Sequence, residues 1–258
     1  MNKRTKITSI FLCITLQFGF FGNIIAQETI LDSPIYDSVL LQSGRLNAAL
    51  SGLSEIDYSA VKNDLLLMQS DINHYPKQQQ AQFWYYLAVC GWKLSLPSEH
   101  VLPHIDKALS FRDSVADYTR FKMLMQSKDI ARDYRNFAKV IDYINEIKQL
   151  VGENPDPKGA DVVSAVDALY GIAHHQIGEH AKAVGYLNNL ILLTEKSGDK
   201  PVRYWFQVLA SAQESNGDLL DAINTVRKQL TYFPHSNTQT YLEFLEETFA
   251  QNTLKAGD

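Results

Sequence analysis

The sequence predicts an all-α protein built from repeated helix hairpins. Three observations carry this. Gly178 and Gly217 each separate two helical stretches, each is followed five residues later by an alanine (Ala183, Ala222), and both offsets are 39 residues. Glycine and proline are sparse and sit at the ends of periodic stretches. Apolar residues elsewhere recur at helical spacing, and self-similarity at such a period marks a solenoid of stacked helix pairs.

The elements follow in order. Residues 1–26 read as a secretory signal peptide: Lys3, Arg4 and Lys6 precede an apolar run from Ile7 to Ile25, which ends in Ala26 before Gln27. The alternative is an uncleaved anchor formed by residues 7–25, since roughly 20 apolar residues span a bilayer. Leu12 before Cys13 does not fit a lipobox. The expected location is therefore periplasmic or secreted, with membrane contact only through 7–25.

Residues 27–36 read as an extended lead-in and 37–53 as a helix. Helices are then expected over 60–72, ended by Tyr75-Pro76, and over 78–94 and 103–111, with Pro97 between them. A further pair, or one bent helix, is expected over 114–128 and 130–151, with no glycine at its turn. Pro155 and Pro157 make 152–159 the clearest break in the chain, a candidate hinge. The tandem pairs follow: 161–177 with 179–195, and 201–216 with 218–233. Gly178 and Gly217 end the first helix of each, and Asp218 reads as an N-cap. Ser236 and Gln239 read as a capping box for a last helix, 236–252, whose Glu243, Glu246 and Glu247 give it a polar outer side.

Composition narrows the function. The formal charge is −5, and without residues 1–26 it is −8. An acidic surface argues against nucleic acid or anionic lipid as partner. Cys90 is the only cysteine after residue 26 and reads as a small buried residue. His174, His175 and His180 lie near Glu179 without the spacing of a zinc motif, and read as a polar turn. His100 and His104 are separated by Pro103. No nucleophile elbow or phosphate-cradling glycine loop is present. No catalytic residue, metal ligand set or cofactor is expected.

Signature residues then point to a family. Trp84, Leu87, Ala88 and Gly91; Asp167, Tyr170, Gly171 and His174; and Phe206, Leu209, Ala210 and Gln213 resemble the W-x-x-L-G-x-x-Y first helix of tetratricopeptide repeats. Ala183 with Leu187, and Ala222 with Val226, resemble the second-helix A-x-x-x-F pattern. The resemblance is good over 161–234, fair over 78–111 and weak elsewhere. It implies a right-handed α-solenoid of about four degenerate hairpins plus a C-terminal capping helix. It also implies a non-catalytic scaffold that binds a peptide or partner protein in a concave groove lined by first helices. On the family pattern the groove positions are Gln82, Tyr85, Val89 and Trp92; Ala165, Ala168, Ile172 and His175; and Tyr204, Gln207, Ser211 and Glu214; the alternative is that Tyr85, Trp92 and Tyr204 pack against the neighbouring repeat. The lysine and asparagine clamp of co-chaperone members is missing, so their carboxylate ligand is not implied. Two alternatives stand beside this reading: a membrane-tethered assembly factor for an envelope secretion or transport complex, and a helical hydrolase acting on envelope polymer.

Overall fold

A computed structural model describes Arg45 and residues 55–152 and 157–256; of residues 157–165 it describes the backbone alone. Among these residues there are ten α-helices and no strand: α1 Tyr58–Leu67, α2 Lys77–Lys93, α3 Leu102–Leu109, α4 Asp117–Asp133, α5 Phe137–Gly152, α6 Pro157–Gln176, α7 His180–Lys196, α8 Arg203–Ser215, α9 Leu219–Tyr232 and α10 Ser236–Ala256. The chain divides into two compact units between Arg120 and Phe121, inside α4. The expected helix over 37–53 and the N-terminal segment lie outside the described residues. The expected hinge over 152–159 is described only at its ends, where Gly152 closes α5 and Pro157 opens α6.

In the first unit, the carboxylate of Asp57 caps α1 by accepting from the Ser59 and Ala60 amides at 3.0 Å each. Helix α2 packs against both α1 and α3. Phe83, Leu87, Leu65 and Ile105 are fully buried there. Buried Gln80 ties the preceding turn to α2 by donating to the Tyr75 carbonyl at 2.8 Å. Gly91 is explained by packing, since a Cβ at that position would stand 2.9 Å from Val101 Cγ2.

The second unit stacks its helices in sequence. Helix α6 packs on α5 and α7, α8 packs on α7 and α9, and α10 packs on α9. Leu187, Ile191, Phe206, Val208 and Leu209 form one cluster. Ala210, Ala222, Ile223, Val226, Leu242 and Leu245 form the next. Gly171 lets α6 and α7 approach closely: a Cβ would lie 2.8 Å from Leu187 Cγ.

One turn recurs in both units. After α2, α4, α6 and α8 the chain passes through a left-handed residue: Ser95 (φ 56°), Arg135 (φ 58°), Gly178 (φ 84°) and Gly217 (φ 88°), at successive offsets of 40, 43 and 39 residues. In each, the following amide reaches back five residues: Leu96 to Gly91 (2.9 Å), Asn136 to Ala131 (2.8 Å), Glu179 to His174 (2.9 Å) and Asp218 to Gln213 (2.8 Å). This Schellman closure satisfies carbonyls that the helix end would otherwise leave bare. Counting back from Arg135 aligns Leu124, Ser127, Lys128 and Ala131 with the signature positions of the other first helices, and all four are buried. Lys128 stands where the other pairs have Ala88, Gly171 and Ala210, and its ammonium meets Asp129 at 3.0 Å.

Several local expectations are corrected. The break expected near residue 129 falls at 134–136, because Arg135 rather than a glycine takes the left-handed position. Asp218 precedes α9, but its carboxylate accepts from Asn216 Nδ2 at 2.6 Å and makes no cap bond. Ser236 is inside α10 rather than capping it. His235 caps instead: its carbonyl accepts from the Gln239 amide and its Nδ1 from the Asn237 amide. Gln239 turns forward to Glu243.

Two stability changes of opposite sign follow. A non-glycine residue in the left-handed region costs roughly 1–2 kcal/mol, partly offset because glycine is freer in the unfolded chain. Arg135→Gly therefore raises the unfolding free energy by about 0.5–1 kcal/mol in urea titrations. Gly171→Ala lowers it by about 1–3 kcal/mol, because the gained helix propensity is outweighed by the clash with Leu187.

Candidate partner-binding surface

Spacing along α8 sorts its side chains onto opposite faces. Phe206, Leu209 and Gln213 point into the unit and are buried. Tyr204, Gln207, Ser211 and Glu214, separated by three, four and three residues, form the other face. Tyr204 is 51% exposed, Gln207 is exposed, and Ser211 and Glu214 are half-buried.

Two hydrogen bonds tie this row to its neighbours. On α6, His175 Nε2 lies 3.3 Å from Ser211 Oγ. On α10, the Tyr241 hydroxyl donates to Glu214 Oε2 at 2.6 Å. The Tyr241 ring stacks on Phe244 with centroids 6.5 Å apart, and Phe244 is 53% exposed. Burial, and then the Glu214 carboxylate, push the Tyr241 phenol above its ordinary value. The surface therefore pairs exposed aromatic rings with a fixed carboxylate and a hydroxyl.

His175 also meets His180 of α7, Nδ1 to Nδ1, at 3.0 Å. One ring must donate and the other accept, so the contact requires a neutral partner. Burial, and then the His180 ring, hold the His175 pKa below its ordinary value. His174 turns the other way. It is buried, its Nδ1 pairs with the Glu179 carboxylate, and its ring stacks on Tyr186 with an interplanar angle of 5°. Tyr170 meets the same ring edge-on. Lys182 and then His174 hold the Glu179 carboxyl below its ordinary value. The sequence reading of these histidines as a polar turn is half right: His174 is a core residue and His175 belongs to the surface row.

The remaining candidate positions divide. Ile172 is half-buried against the Leu187–Phe206 cluster. Ala168 is half-buried, and the Ala165 side chain lies outside the described residues. In the first unit, Gln82 and Trp92 are half-buried, with Lys93 Nζ 4.1 Å above the Trp92 ring. Tyr85 (8% exposed) and Val89 (0%), expected on the groove, are instead buried and offer no surface for recognition. Tyr241 and Phe244 were missed as surface candidates. Their role depends on α10 lying against the α8 row, which no local signal announces. Cys90 is buried as expected, and burial pushes its thiol up to about 12.

No family model matches the sequence, and no curated protein matches it. Solved structures match the fold. The apo form of RapI is 11% identical with a TM-score of 0.51, covering 86% of this chain and 85% of that one. A variant of the nearly identical TPR-like repeats from a Podosopora anserina kinesin light chain-like protein is 11% identical with a TM-score of 0.50, covering 77% and 93%. Likeness at this identity establishes fold. The chain is an all-α repeat protein of TPR-like helix pairs, the class expected from its sequence.

The histidine geometry gives a pH signature. His175 has a folded pKa below its unfolded value, so the unfolded chain takes up a proton first as pH falls. Its stabilising share is complete above about pH 6.5 and declines as pH drops below that. His104, held low by burial and then by Lys62 and His100, acts in the same direction. The difference in urea midpoint between pH 7.5 and 5.5 is therefore smaller in His175→Gln than in the wild type. An unchanged difference removes His175 from the account.

Proposed function

We infer that this protein is a non-catalytic scaffold that binds a peptide or partner protein on the first-helix face of its repeats. The observation that carries this reading is the α8 row of Tyr204, Gln207, Ser211 and Glu214. It is open to solvent at Tyr204 and Gln207, and is held in place from both sides by His175 and Tyr241. Rigid aromatic anchors with a few fixed polar groups are the make-up of interaction hot spots. The TPR-like fold supports the reading, because stacked helix pairs present extended binding surfaces. The reading assigns no catalytic residue and no cofactor.

The setting we propose is the cell envelope, with the protein exported to the periplasm or secreted. Its support is the basic and apolar pattern of residues 1–26. The same apolar run supports a second reading, a tethered assembly factor held by residues 7–25. Among the described residues no helix is long and apolar enough to cross a membrane, so a tether would rest on that run. N-terminal sequencing of the mature protein separates the two: a free Gln27 terminus excludes the tether.

The binding reading is tested by placing a photo-crosslinking amino acid at position 207 in cells. A discrete protein adduct is expected. Tyr204→Ala should weaken it by about 2 kcal/mol, roughly 30-fold, the scale of an anchor residue. Helicity should be unchanged, because Tyr204 is exposed. An adduct of undiminished yield in Tyr204→Ala, or none at all, contradicts the reading.

A further inference from the structure

The last turn of α8 breaks a charge pattern that the other first helices keep. A helix C-terminus carries partial negative charge, so a basic side chain stabilises it and an acidic one does not. Helices α2 and α4 end on Lys93 and Arg132, and α6 ends on His174 and His175. Asp133, the acid at the end of α4, is paired with Arg132. The last turn of α8 holds no basic residue and carries Glu214.

This carboxylate also lacks a counter-ion. Four other acids of the same unit have one: Asp167 pairs with Lys148, Glu179 with Lys182, Glu195 with Lys228 and Glu246 with Arg227. Glu214 is half-buried, yet its hydrogen-bond partner among the described residues is the neutral Tyr241 hydroxyl. A half-buried charge without an opposite charge is costly, so the position calls for a cation from outside.

Tyr241 joins the carboxylate to an aromatic surface. Its hydroxyl meets Glu214, and its ring stacks on Phe244, which is exposed. Glu247, one turn beyond Phe244 on α10, is exposed and has no cation partner among the described residues. The remainder of the row, Tyr204, Gln207 and Ser211, is uncharged. His175, beside Ser211, is held below its ordinary pKa by burial and then by His180, so at pH 7.5 it supplies no positive charge.

These groups define what binds. An acidic segment is repelled by Glu214 and Glu247. An apolar one buries Glu214 further with no charge to offset it. A lysine ammonium matches the charge but is a compact, strongly hydrated point. An arginine guanidinium matches both parts of the site: its planar donors pair with a carboxylate, and its face lies on an aromatic ring.

We propose that the α10 end of the α8 row binds an arginine side chain of the partner polypeptide, with the guanidinium paired to Glu214 and laid on the exposed Phe244 ring. This rests on the α8 row being the binding face and adds the chemistry of what it takes.

The test is NMR titration of the full chain with acetyl-Gly-Ser-Arg-Ser-Gly-amide and with its citrulline analogue, which keeps the shape and loses the charge. The arginine peptide should give saturable shifts at the Glu214 carboxyl carbon and the Phe244 ring. The citrulline peptide should bind at least about 5-fold more weakly, the scale of a charge-assisted hydrogen bond. Glu214→Gln, whose carbonyl can still accept from Tyr241, should weaken the arginine peptide by the same factor and abolish the difference between the two peptides. Phe244→Ala should weaken it about 3-fold. Equal binding of the two peptides by the wild type overturns the proposal. So do full affinity in Glu214→Gln or in Phe244→Ala, shifts that spread over the acidic surface without saturating at Glu214, or no saturable shift up to about 10 mM. The adduct at position 207 separates this from failure of the binding reading. An adduct kept in full by Glu214→Gln leaves that reading standing and overturns the arginine assignment. No adduct in the wild type contradicts the binding reading, while the two peptides still decide the assignment.

Discussion

The structure depends on one backbone constraint, the left-handed turn that ends each first helix. An α-helix leaves its last carbonyls without partners. Here each first helix closes them by letting one residue take a positive φ, so that the next amide bonds back five residues. The turn also reverses the chain in a few residues, and α3, α7 and α9 pack directly on the first helices that precede them. Four such closures, at Ser95, Arg135, Gly178 and Gly217, recur at offsets of 40, 43 and 39 residues, and a fifth of the same form, at Gly198, ends the second helix α7. The small residues seven positions earlier, Ala88, Gly171 and Ala210, are buried where helices approach. On α8 the side opposite the buried Phe206, Leu209 and Gln213 is the row from Tyr204 to Glu214.

The tandem pairs at 161–234 were legible because glycine fills their turns and small residues fill their contacts. The pair α4–α5 was nearly invisible for the converse reason. Its turn is Arg135, a residue with no preference for positive φ, and its contact position is Lys128, whose long side chain reaches Asp129. The fold tolerates both substitutions of type, so the signature disappears while the backbone plan persists. The cap of α10 was misread by one residue, because a histidine ring can accept an amide as a serine hydroxyl does.

The surface was less legible than the fold. The family pattern placed Tyr85 and Val89 on a groove, yet both are buried, because in the first unit that side of α2 is consumed by packing. On α8 the same pattern names Tyr204 and Gln207, which are exposed, and Ser211 and Glu214, which are half-buried. Tyr241 and Phe244 lie on a helix whose apolar residues could be sorted only by knowing what it packs against. Leu242 and Leu245 go to the core, while Phe244 stays in solvent. Periodicity identifies faces, and tertiary contacts decide which face is sealed.

The account stands or falls on the turn being a structural closure at all four places, including the two without glycine. Native-state hydrogen exchange of the Leu96, Asn136, Glu179 and Asp218 amides tests this most directly. The account predicts that all four exchange far more slowly than exposed loop amides, with protection that rises as the fold is stabilised. Exchange of Leu96 and Asn136 at unprotected rates, with only Glu179 and Asp218 protected, would show that the repeat is confined to the glycine-marked pairs and would contradict it.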